Sequence, residues 1–126
     1  MKEIISTDKA PKAIGTYSQA VKVNNLVFVS GQIPLVPETM QLVSTTDFTA
    51  QITQVFENLS AIAKEAGGSL QNFIKLNIYL TDLNNFATVN KIMQQYFKAP
   101  YPARAAVEIS ALPKGALVEI EGIISL

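Results

Sequence analysis

Arg104 is the one arginine in a chain that uses lysine nine times. It follows Pro102-Ala103 and opens the apolar run ARAAVEIS (103–110). A guanidinium presents a planar fork of N–H donors that can grip a carboxylate through two parallel hydrogen bonds, which an ammonium cannot do. A lone arginine at a strand mouth reads either as a carboxylate anchor or as half of a structural ion pair with Glu108 or Glu119. The residue types alone leave both open. Glu119 and Glu121 alternate with Val118, Ile120 and Gly122, so on a strand both carboxylates leave the face opposite the apolar stripe. On a solvent edge they are ordinary surface charges. On a buried face at least one must be paired or put to use. Tyr17 (in IGTYSQA), Ser30-Gly31 (in FVSGQIP) and Asn90 are weaker signals. A tyrosine near a strand start is usually packing, a strand glycine marks a bulge or a close approach of backbone, and a helical asparagine is often just exposed.

The groups that are missing narrow the chemistry further. The 126 residues contain no histidine and no cysteine. Ser-His-Asp catalysis, imidazole acid–base work, thiolate nucleophiles, disulfides and nearly every catalytic zinc geometry are therefore excluded. No metal and no cofactor is expected. Ten cations balance ten anions, and only 16% of residues are charged, so no basic stripe is available for nucleic acid. A site of arginine, glutamate, tyrosine and backbone amides can bind a small carboxylate and direct a water. It can assist only a reaction whose uncatalysed barrier is already low. MKEIISTDKAPKAIG has alternating charge and no apolar run of the roughly 7–15 residues of a signal peptide, and no stretch approaches the roughly 18 that span a bilayer. A soluble, cytoplasmic chain with no membrane partner is expected.

These residues need elements to hold them. Residues 19–24 alternate, Asn24-Asn25 makes a turn, and LVFVSGQI (26–33) reads as a second strand. Thr46 or Asp47 can cap a helix to about Ala66, with Phe48, Ile52, Val55, Phe56, Leu59, Ile62 and Ala63 on one side and Gly67-Gly68 as its stop. FIKLNIYLT (73–81) reads as a half-buried strand with Ile74, Leu76, Ile78 and Leu80 on one face. Asp82 or Asn84 can cap a second helix, about 84–97, whose stripe is Phe86, Val89, Met93, Tyr96 and Phe97. Strands 103–110 and 116–125 close the chain, joined by Leu112-Pro113-Lys114-Gly115. The economical solution is one α+β domain, residues 1–126, in which a mixed sheet carries both helices on one face. Strands 26–33 and 116–125 are apolar on both faces, so the uncovered face predicts burial against further copies of the chain.

APKAIGTYSQAV, LVFVSGQIP, DLNNFATVN and PYPARAAVEISALPKGALVEIEGI, in this order and spacing, closely resemble the Rid family (reactive intermediate/imine deaminase A, formerly the YjgF family). The resemblance covers essentially the whole chain. It implies a chorismate-mutase-like fold and a homotrimer with a central β-barrel and a cleft between each pair of subunits. It also implies hydrolysis of 2-imino acids, such as 2-iminobutanoate and 2-iminopropanoate, to 2-keto acids and ammonia. Those imines arise from enamines released by pyridoxal-phosphate dehydratases. By the same resemblance Arg104 holds the substrate carboxylate and Glu119 directs the attacking water, leaving Glu121 structural. Tyr17 packs on the ligand, the Ser30 hydroxyl and Gly31 amide line the pocket, Asn90 stands at its edge, and Phe86 forms an apolar wall. Ala106 departs from the cysteine found in many imine-deaminase members; its amide can still donate. Rival readings are a keto-acid-binding regulatory module of purine or isoleucine metabolism, an endoribonuclease or translation inhibitor, and a chaperone-like surface.

Overall fold

The computed structural model describes residues 1–126. Eight strands and two helices follow one another as β1 (Glu3–Ile5), β2 (Ala20–Val23), β3 (Leu26–Gln32), β4 (Leu35–Val36), β5 (Gln41–Leu42), α1 (Phe48–Glu65), β6 (Phe73–Leu80), α2 (Phe86–Tyr96), β7 (Ala103–Glu108) and β8 (Val118–Ser125). Six form one mixed sheet in the order β1-β2-β3-β8-β6-β7, with β6 and β7 parallel and every other pair antiparallel. The expected α+β architecture, a mixed sheet with two helices, is the one observed.

Local chemistry explains the elements. Asn24 takes a φ of 55° in the tight turn between β2 and β3, where asparagine tolerates the left-handed region. Asp47, not Thr46, caps α1 by accepting from the Ala50 N–H at 3.1 Å, and Gly67 ends it at a φ of 98°. Asp82 caps a single 3₁₀ turn (Leu83–Asn85), so α2 begins only at Phe86, two residues later than periodicity suggests. The helices press Ile52, Val55, Phe56, Leu59, Ile62, Val89, Ile92 and Met93 onto Val27, Val29, Leu76, Ile78, Leu80, Val118, Ile120 and Ile124. No helix is long and apolar enough to cross a membrane.

One expected packing position is corrected. Ile74 is 48% exposed, and Phe73 takes its place in the core. Phe73 pairs with Ile124 and Lys75 with Ile123, so Ile74 is an extra residue that bulges out of register. Alternation counted back from Leu76 passes through that bulge and lands on the wrong side. The strand β1 and the small hairpin β4-β5 were also not foreseen; two- and three-residue strands carry too little pattern to read.

Candidate functional site

β8 lies in the middle of the sheet, and its alternation places Val118, Ile120, Gly122 and Ile124 under the helices and Glu119, Glu121 and Ile123 on the open face. Beside it β3 bulges: Val29 opposes Gly122 and Gln32 opposes Ile120, so Ser30 and Gly31 together face the single residue Glu121. The bulge turns the strand away from β8 and opens a cavity of about 560 Å³. Its walls include Tyr17, Ser30, Gly31, Glu119 and Glu121, with Ile14, Ile33, Leu35 and Met40 as apolar lining. The side chain of Glu119 lies directly across the Cα of Gly31, where any Cβ would run into its carboxylate, with Cδ only 2.8 Å away.

The wall that carries Tyr17 is pinned by a buried amide. Gln19 donates through Nε2 to the carbonyls of Thr7 (3.0 Å), Ala10 (3.3 Å) and Pro11 (2.8 Å), and its Oε1 accepts from the Thr7 N–H at 2.7 Å. The Ser30 hydroxyl donates to the Ser18 carbonyl at 2.6 Å, and the Ser30 N–H to the Gln19 carbonyl at 2.9 Å. The Tyr17 ring stands half exposed at the cavity mouth, its hydroxyl accepting weakly from the Ile14 N–H at 3.5 Å. Burial first, and the Glu121 charge second, hold the Glu119 carboxyl above the usual carboxylate range. Glu121 itself accepts from Asn77 Nδ2 at 3.2 Å. Burial and the same two carboxylates raise the Tyr79 hydroxyl.

Arg104 belongs to a second cluster. It pairs in register with Leu76, whose side chain is buried beneath the helices, so the guanidinium leaves the helix-covered face of β7. Nη1 donates to Asn90 Oδ1 at 2.7 Å and approaches Met93 Sδ at 3.4 Å, while the guanidinium carbon stands 4.9 Å above the Phe86 ring. The alternative ion pair is not made, since Glu108 accepts instead from the Leu83 N–H at 2.9 Å and Glu119 lies on the other face. Asn90, Met93, Tyr101, Pro102 and Arg104 border a separate cavity of about 480 Å³. Ala106, level with Ile78, packs on the rim of the core. Because the Ile109 N–H donates to the Leu80 carbonyl at 2.8 Å, alternation turns the amides of Arg104 and Ala106 away from β6, toward the free edge of the sheet.

The nine candidates thus fall into two groups within one chain. Tyr17, Ser30, Gly31, Glu119 and Glu121 line the open-face cavity, and Phe86, Asn90, Arg104 and Ala106 gather at the β7 edge under α2. Lys12 and Lys114, which also line the first cavity, were not foreseen. Lys114 is held at a φ of 58° in the Pro113–Gly115 turn, and the Pro-Lys-Gly step was the available clue.

Residues 7–126 match the family model described as Endoribonuclease L-PSP. The chain belongs to that family, the YjgF/RutC/Rid family. A RutC family protein of Pyrococcus abyssi is 52% identical over 122 residues, which is 97% of this chain and 95% of the relative. The human protein named 2-iminobutanoate/2-iminopropanoate deaminase is 46% identical over 123 residues, 98% of this chain and 89% of its own. Among solved structures, RidA from the Antarctic bacterium Psychrobacter superposes with a TM-score of 0.95 at 55% identity, covering 98% of this chain and 99% of that one. This Rid chain therefore shares both sequence and fold with family members along nearly its whole length.

Proposed function

We propose that this protein hydrolyses 2-imino acids, with 2-iminobutanoate and 2-iminopropanoate as the reference substrates, to 2-keto acids and ammonia. The reaction needs no cofactor and takes place in the cytoplasm, in clefts between the subunits of a homotrimer. One observation carries the reading: Arg104 and Glu119 stand on opposite faces of one sheet, with β6 between their strands, so a single chain cannot apply both to one small molecule. A second copy can. The open face also leaves Phe28 47% and Val107 46% exposed, apolar surface that a neighbouring copy would cover. The relatives named as imine deaminases support the chemistry.

In this reading Arg104 grips the substrate carboxylate, aligned by Asn90 and braced on Phe86, and the outward amides of Arg104 and Ala106 add donors. From the adjoining copy, Tyr17 covers the ligand and Glu119 holds a water against the C=N carbon. Glu119 takes a proton from that water as its oxygen bonds to carbon, giving a carbinolamine. That proton passes to nitrogen, a second moves from the new hydroxyl through Glu119 to the same nitrogen as the C–N bond breaks and the C=O forms, and ammonia leaves the 2-keto acid. A carboxyl held above its ordinary range suits a group that both accepts and returns a proton. Positioning supplies most of the acceleration, as befits a chain without histidine.

The test is keto-acid release, or protection from semicarbazide trapping, with 2-iminobutanoate generated in place by a threonine dehydratase. Wild type should accelerate it, and Arg104→Ala should lose about 2–4 kcal/mol of transition-state binding, roughly 30- to 1,000-fold in kcat/KM. Equal rates for both proteins would remove Arg104 from the site. Keto-acid binding without turnover would point to a regulatory module. The description of the matched family keeps RNA cleavage as a second reading. Loss of a labelled RNA to wild-type protein, with no effect on the imine, would favour it.

A further inference from the structure

Gly31 in β3 and Gly122 in the neighbouring β8 differ in what a side chain would meet. A Cβ on Gly122 would strike the Lys75 carbonyl oxygen and the Phe73 ring, both at 2.7 Å, so that glycine lets two strands pass. At Gly31 the three nearest atoms all belong to one flexible side chain, Glu119: its Oε2, its Cδ at 2.8 Å and its Cγ at 3.2 Å. The φ of Gly31 lies outside the left-handed region that favours glycine. No left-handed φ and no backbone contact calls for glycine here. What fills the space of the missing side chain is the carboxylate that borders the cavity.

We propose that Gly31 is a positioning residue for Glu119: by carrying no side chain, it supplies the seat on which the Glu119 carboxylate rests at the depth needed to hold the attacking water. The proposal rests on the hydrolytic reading above. The bulge at Ser30-Gly31 brings the Cα of residue 31 under the Glu119 side chain, and Glu121, hydrogen-bonded by Asn77, follows on the same face of β8. The carboxylate can yield to a methyl group at 31 only by swinging away from the strand. A reacting group displaced by about an ångström costs up to roughly a hundredfold in rate.

The experiment is a double-mutant cycle on the intact oligomer with Gly31→Ala and Glu119→Asp, assayed with 2-iminobutanoate and by calorimetric binding of 2-ketobutyrate. Gly31→Ala should lower kcat by roughly tenfold or more while KM and keto-acid affinity stay within about twofold. Glu119→Asp, one methylene shorter, withdraws the carboxyl carbon from the 2.8 Å approach at Cδ toward the 3.2 Å position of Cγ and so relieves the closest contacts. On that background Gly31→Ala should cost no more than about twofold. A Gly31→Ala protein with wild-type kcat overturns the proposal, as does an equal loss on both backgrounds, which would mean that the methyl group obstructs the ligand instead. If Gly31→Ala does not fold, the double variant should fold and turn over; failure of both overturns the seat. If wild type shows no turnover, the hydrolytic reading falls, and the Glu119 carboxyl ¹³C resonance still reads the seat. That resonance should move in Gly31→Ala, and an unmoved one overturns the proposal.

Discussion

At neutral pH the ionised Glu119 carries a cost in the folded chain, since burial and the neighbouring Glu121 charge both favour its protonated form. The sign follows from linkage. Its folded carboxyl binds a proton more tightly than the unfolded one, so the penalty is absent below the ordinary carboxylate range and complete above the folded pKa. Glu119→Gln should therefore raise the thermal midpoint at about pH 7 and give no gain below about pH 3.5. A gain of equal size at both pH values would contradict it. If turnover needs the carboxylate, its acid limb lies above the ordinary range and Glu121→Gln moves the limb downward. The alternation of Glu119 and Glu121 with apolar neighbours was legible in the sequence, because a central strand keeps strict period two. The partners of Arg104 were not. They come from α2, up to 18 residues upstream at Phe86, and no local rule pairs a strand arginine with an asparagine and a ring on a helix.

Helices and long strands were readable because each shows one apolar side, ended by glycine, proline or a capping aspartate. The errors collect at bulges. Strict alternation puts Ile74 in the core, but one extra residue in β6 shifts it out, and nothing in FIKLN marks that residue. At β3 the bulge was readable, since glycine stands inside the run LVFVSGQI. Gly122 gives the element-scale prediction. Its Cβ would meet the Lys75 carbonyl oxygen and the Phe73 ring, one of them backbone in a paired strand that cannot turn aside. Gly122→Ala should cost about 1–3 kcal/mol of stability, read as a lower urea midpoint with an unchanged m-value. An unaltered midpoint would mean that β6 yields freely at its bulge.

For the whole molecule, the sequence foretold a sheet with one face under helices and another needing cover, but not the strand order. Placing β8 between β3 and β6 is a long-range choice that only the finished packing displays. That order has a functional consequence. It sets the Arg104 cluster on one face at the β7 edge and the Glu119 cavity on the other face, each incomplete for gripping a carboxylate and delivering water. The central claim is that the two halves meet across copies of the chain. Subunit complementation tests it most directly: inactive Arg104→Ala and Glu119→Ala proteins are unfolded, mixed in equal amounts, refolded and assayed with 2-iminobutanoate. In a closed ring of head-to-tail interfaces, random assembly gives each cleft an intact Arg104 and an intact Glu119 about one time in four. Recovery to about a quarter of wild-type activity is therefore expected. A mixture no more active than its separately refolded parents would contradict it.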